Sequence, residues 1–161
     1  MSTSTASTRS VALPSPGVFV GTVYAVCVLG LLAAFGADIV FTDNDPYRSE
    51  GPVDSMIAVG VFGTAALAIG IAVALGLGRS TPERAKVGAI LLGGMAILTL
   101  VVWWSGAPGV LGACAAWTAG LTRGGRPLPG LARVAGIVGA FIAVLNVVFT
   151  VGGIALSGVT G

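Results

Sequence analysis

The 161-residue sequence contains no histidine. That absence excludes imidazole metal sites, histidine-ligated haem and every catalytic triad built on an imidazole base. Charge is scarce too: 9% of residues are Asp, Glu, Lys or Arg, against roughly 25% in a soluble domain. The two cysteines, Cys27 and Cys114, both fall inside apolar runs and form no secreted disulfide framework. Each reads as a small hydrophobe with an inert thiol. No polar segment is long enough to bury a core of its own, which excludes a separate soluble domain. The net charge of +2 is too small to point to nucleic acid. No Gly-rich phosphate loop runs into Lys-Ser/Thr, and no paired carboxylates lie within an apolar run. Serines at the run ends (Ser55, Ser105, Ser157) have no base beside them. Neither enzymatic chemistry nor a cofactor is indicated, and the apolar runs hold no Lys or Glu for a proton relay.

What is present is apolar. Hydrophobic residues make up 55% of the chain and the mean hydropathy is +1.00, which places it among integral membrane proteins. Glycine, at 26 residues, would weaken soluble helices but lets membrane helices pack closely. The Ala, Gly, Val and Arg bias suggests a high-GC bacterial genome, and so the bacterial cytoplasmic membrane as location.

The stretch Val87 to Leu121 organises the rest. Its 35 residues carry no charge; as one helix it would run about 52 Å, against a hydrocarbon core of about 30 Å. Ser105-Gly106-Ala107-Pro108-Gly109 breaks it, and Trp103 and Trp104 precede the break as interface residues do. The expectation is an all-α bundle of five transmembrane helices, at about 17–39, 56–78, 87–104, 108–121 and 131–156, with the third and fourth forming a tight hairpin. The 14-residue fourth segment is short for a crossing, so four spans with a re-entrant fourth helix is the alternative. Residues 1–16 read as a disordered Ser/Thr-rich tail and 157–161 as a frayed end. A signal peptide ending near Ala34-Phe35-Gly36 competes for the first span, but the apolar run is longer than the ~7–15 residues of such a segment. Thr81 and Pro82 fit the cap and first residue of the helix after the second span.

Lys and Arg concentrate in cytoplasmic loops. With five spans, Arg9, Arg79, Arg84, Lys86, Arg123, Arg126 and Arg133 share one side and only Arg48 lies on the other. With four, the split is four against four. The charge pattern therefore favours five, with the N-terminus cytoplasmic and the C-terminus outside. The outer loop, residues 40–55, is acidic (Asp43, Asp45, Glu50, Asp54). As a calcium loop it fails, with Tyr47, Arg48 and Asp54 at the fifth, sixth and twelfth positions, which want an oxygen ligand, Gly and Glu.

Small residues recur every fourth position: Ala66, Gly70, Ala74, Gly78 in the second span and Gly112, Ala116, Gly120 in the fourth. Shorter runs, Gly17-Gly21-Ala25 and Ala132-Gly136-Ala140, open the first and fifth. Such faces let helices approach, within the bundle or toward another subunit. Asn146 is the lone carboxamide inside a span and should face the bundle, bonding Thr99, Thr118, Tyr24 or Thr22. Asp38, at the end of the first span, is the lone carboxylate near one; it reads as a boundary residue or an ion-entry site. Cys27 and Cys114 should lie near mid-membrane and be neighbours, and Trp117 should anchor the inner interface.

The functional expectation is a non-enzymatic accessory or scaffold subunit acting through helix contacts in the bilayer, with another membrane protein or a second copy as partner. The alternative is a homo-oligomeric channel or transporter with an acidic outer vestibule and a path past Asn146, Asp38, Thr99 and Thr118.

Overall fold

A computed structural model describes the backbone of residues 13–41 and 52–160, and side chains over 13–37 and 53–156. The acidic cluster Asp43, Asp45, Glu50 and also Arg9 and Arg48 lie outside the described residues. Everything described is helix, turn or loop, apart from one isolated bridge, Leu13 to Thr122.

Helix α1 (Pro16–Tyr24) leads through a π turn (Ala25–Leu29) into α2 (Gly30–Phe41). Helix α3 spans Pro52–Gly76, and α4 spans Pro82–Leu98 before tightening into a 3-10 segment, Thr99–Ser105. Helix α5 (Ala107–Thr118) is followed by a loop and α6 (Leu131–Thr160). Four helical stretches are long and apolar enough to cross a membrane: Pro16–Ala37, Val53–Gly76, Pro82–Ser105 and Leu131–Leu156. Their outward faces carry large apolar side chains such as Leu98, Val101 and Phe141, the surface a lipid environment requires.

Local chemistry accounts for the boundaries. Thr81 caps α4, its Oγ1 accepting from the Arg84 amide, and Pro82 starts the helix where its missing N–H costs nothing. This helix therefore begins five residues before the apolar run at Val87. The break in the long stretch is made by Gly106, at φ 74°, a left-handed conformation glycine adopts without penalty. Pro108 sits in the first turn of α5 and starts that helix rather than ending the previous one.

Helix α5 is the twelve-residue axis of the bundle. Every residue of it except Trp117 is buried, and it packs against α1, α3, α4 and α6. Ala and Gly make up half of its sequence, so the four surrounding helices close around it at short range. Gly112 and Gly139 meet backbone to backbone, and Gly70 seats the Cys114 side chain. The core runs from Leu92 of α4 through Val110 and Leu111 to Val59, Val28 and Ile142.

At about 1.5 Å per residue α5 is about 18 Å long, roughly half the length of the four membrane-length stretches. Its first turn lies beside Cys27, eleven residues into the first helical rod. Its last turn lies beside Pro16, Ser80 and Thr81. It thus returns to the end at which α4 starts. The bundle is five helices thick over that half, and α2, the start of α3 and the end of α6 continue beyond the hairpin tip.

Candidate functional site

The polar groups inside the bundle converge on the hairpin tip. Ser105, fully buried, donates from Oγ to the Val102 carbonyl at 2.7 Å and accepts from the Ala107 amide at 3.3 Å. The Trp103 carbonyl accepts from the Gly106 amide at 3.4 Å and from Asn146 Nδ2 at 3.0 Å. Asn146 is buried, and its Oδ1 has no hydrogen-bond partner. That oxygen faces the first turn of α5, where a methyl on Gly109 would lie 2.8 Å from it. The amino-terminal end of a helix carries partial positive charge, so the carbonyl dipole of Asn146 meets the favourable end of α5. One side chain from α6 thereby joins the end of the 3-10 segment to the start of α5.

The opposite wall is Cys27. Its carbonyl oxygen would be 2.7 Å from a methyl on Gly106, so the tip enters where the π turn lies. Its thiol meets the hydroxyl of Thr150, one turn after Asn146 on α6. Trp103 and Trp104 close over the tip edge-on against Phe149 and Phe62, at centroid distances of 5.7 and 6.5 Å. Beyond them lies an apolar cavity of ≈ 270 Å³ bounded by Leu31, Phe35, Phe149, Thr150 and Ile154. A smaller one of ≈ 210 Å³ touches Asn146, Trp103 and Leu145.

The other residues singled out from sequence do not join this site. Thr99 donates to the carbonyls of Met95 and Ala96, and Thr118 to that of Cys114. Each hydroxyl is satisfied one turn back on its own helix, as membrane threonines commonly are, and so neither reaches Asn146. Tyr24 pairs with Thr64 at 3.1 Å instead. Asp38 is in α2, and its side chain is outside the described residues. Cys114 lies beside Gly70 and Cys27 beside Gly106; eight residues of α5 separate those levels, about 12 Å, so the cysteines are not neighbours.

The small-residue faces divide. Ala66, Gly70, Ala74, Gly112, Ala116, Ala132 and Gly136 are buried within the bundle, with Gly78 and Gly120 half-buried. Gly17, Gly21 and Ala25 of the first rod are exposed, and a methyl on either glycine would meet nothing within 4 Å. Ser105 and Gly109 belong to the break that the sequence shows, whereas Thr150 joins the tip without having been indicated by it. The one signal available for Thr150 was its spacing of four from Asn146.

At the other end of the bundle all the described basic residues gather. Arg79, Arg84 and Lys86 flank the start of α4; Arg123 and Arg126 lie in the α5–α6 loop; Arg133 is in the first turn of α6. Two cavities of ≈ 440 and ≈ 480 Å³ flank that loop. Among the described residues no group of three metal-ligating side chains occurs. The fold is that of a helical bundle suited to a membrane. Comparison with protein-family models, curated proteins and solved structures finds no match.

Proposed function

We propose that this chain is a non-enzymatic accessory or scaffold subunit of a bacterial cytoplasmic membrane, working through helix contacts with another membrane protein or a second copy. The observation that carries the reading is the filled centre of the bundle. Helix α5 occupies the axis where a single-chain pore would run, and its small residues are engaged in packing. The face left open is that of Gly17, Gly21 and Ala25, where a partner helix could approach closely. The basic end lies inside the cell, with the N-terminus, and α6 carries the C-terminus outside. The α4–α5 hairpin enters and leaves at the basic end, so it counts as two passes of the five for sidedness.

The test is mild-detergent extraction of the tagged protein from a native membrane, followed by complex mass and identification of stoichiometric partners. Gly21→Leu, placed in open space, should release the partner without altering thermal stability. A variant that retains its partner at wild-type stoichiometry would remove the α1 face from the proposal; a chain found alone and active in transport would remove the subunit reading.

The channel alternative is supported by one observation, the unpartnered Asn146 Oδ1. With α5 on the axis, such a path would run between copies, and Asn146→Leu should then abolish flux.

A further inference from the structure

We propose that the cavity beside the α5–α6 loop is a seat for one anionic phospholipid, its phosphodiester held by Arg123 and Arg133 and an acyl chain lying along α6. The inference rests only on the chain's residence in a bilayer, and stands whether or not the protein has a partner subunit.

The cavity, ≈ 480 Å³, has both charged and apolar side chains in its lining. Arg123 and Arg133 border it at the level of the loop, and Ile137 and Ala140 border it one and about two turns farther along α6. Arg133, Ile137 and Phe141 are spaced four apart and all exposed, so they share one face of α6. A guanidinium at the loop level followed by an apolar stripe along the helix matches a phospholipid, headgroup above chain. Charge complementarity selects the anionic class. Lys86 with Glu83 is the sole ion pair among the described residues. Glu83 is also the sole carboxylate described at this end, so neither Arg123 nor Arg133 has an acidic partner there. A guanidinium donates two parallel N–H bonds from its planar fork to a pair of phosphate oxygens.

The loop that carries Arg123 is held in place rather than free. Its amide donates to the Leu13 and Pro14 carbonyls at 3.0 and 3.2 Å, and the Leu128 amide donates to Ala119 at 3.0 Å. Gly120 and Gly125 pack backbone on backbone. The seat is therefore formed before a lipid arrives, which limits the ordering cost of binding.

The experiment is native mass spectrometry of the full-length protein in micelles doped with dioleoyl phosphatidylglycerol or dioleoyl phosphatidylcholine. One phosphatidylglycerol should stay bound and phosphatidylcholine should not. Each arginine near an anionic surface is worth about fivefold, so R123Q and R133Q should each weaken retention about fivefold and the double variant about 25-fold. R84Q, outside the cavity, should leave retention unchanged. Both side chains are exposed, so thermal unfolding should not move; if the double variant nevertheless misfolds, the single variants decide. Inorganic phosphate in excess should fail to displace the lipid. Equal loss in R84Q, equal retention of phosphatidylcholine, unchanged retention in R123Q and R133Q, or displacement by phosphate alone would each overturn the proposal.

Discussion

Asn146 Nδ2 donates to the Trp103 carbonyl oxygen at 3.0 Å, while the same side chain's Oδ1 is buried without a partner. The two halves of this amide have opposite energetic signs. The donor half contributes an interhelical bond, on average about 0.6 kcal/mol in a membrane protein. The acceptor half offsets it, eased by its position at the start of α5. Asn146→Leu should therefore destabilise the fold by less than about 1 kcal/mol, read from reversible unfolding in mixed micelles. A loss above about 3 kcal/mol would mean that Oδ1 has a strong partner.

Gly106 and Gly124 separate two reasons for glycine. Both have positive φ, 74° and 86°, but Gly106 abuts Cys27 while Gly124 has open space. Gly124→Ala should cost only the left-handed penalty, about 1–2 kcal/mol. Gly106→Ala adds overlap with the Cys27 backbone and should leave little folded protein at the same temperature. Equal losses at the two sites would place the tip farther from Cys27 than described.

The contact between Gly112 and Gly139 makes a similar prediction for helix spacing. A methyl on Gly112 would run into the Gly139 carbonyl, whereas one on Gly94 meets nothing. Gly112→Ala should destabilise by about 1–3 kcal/mol as α5 and α6 are forced apart. Gly94→Ala should be neutral or stabilise by about 1 kcal/mol through helix propensity. Thermal unfolding of the two variants side by side is the measurement.

Cys27 and Cys114 are both fully buried. Neither should react with a membrane-impermeant maleimide in the folded protein, and both should react once it is denatured in detergent. Oxidants should form no intramolecular disulfide, because the thiols lie at separate levels of α5. A crosslinked monomer under oxidising conditions would contradict the packing at Gly70 and Gly106.

Sidedness is open to single-cysteine scanning on a cysteine-free background. Arg79→Cys and Gly124→Cys should label only from the cytoplasmic side, and a reporter fused after Gly161 should be active only outside. Opposite labelling of positions 79 and 124 would separate two loops that meet at one end of the bundle.

Much of the architecture was legible in the sequence because hydrophobic length is a local property. The absence of charge across Val87–Leu121, the cap at Thr81, the break at Ser105–Gly109 and the start at Leu131 are each read within one stretch of chain. The candidate site was less legible. Asn146 is buried in the bundle, as a lone amide that must avoid hydrocarbon requires. The hydroxyls of Thr99 and Thr118, which the sequence offers as its partners, have nearer acceptors on their own helices.

By itself, then, the sequence determined that the chain is helical and apolar enough for a membrane, with no histidine chemistry and six of its eight basic residues grouped at or beside two loops. The tertiary structure decided that the short, inconspicuous helix α5 is the axis of the bundle. It also decided that the Asn146 amide meets a backbone carbonyl, and that Arg123 and Arg133 border one cavity. The physical reason is the range of the forces. Hydrophobicity and capping act within a turn or two, whereas which faces meet depends on how small residues from distant segments fit together, as Gly112 fits against Gly139.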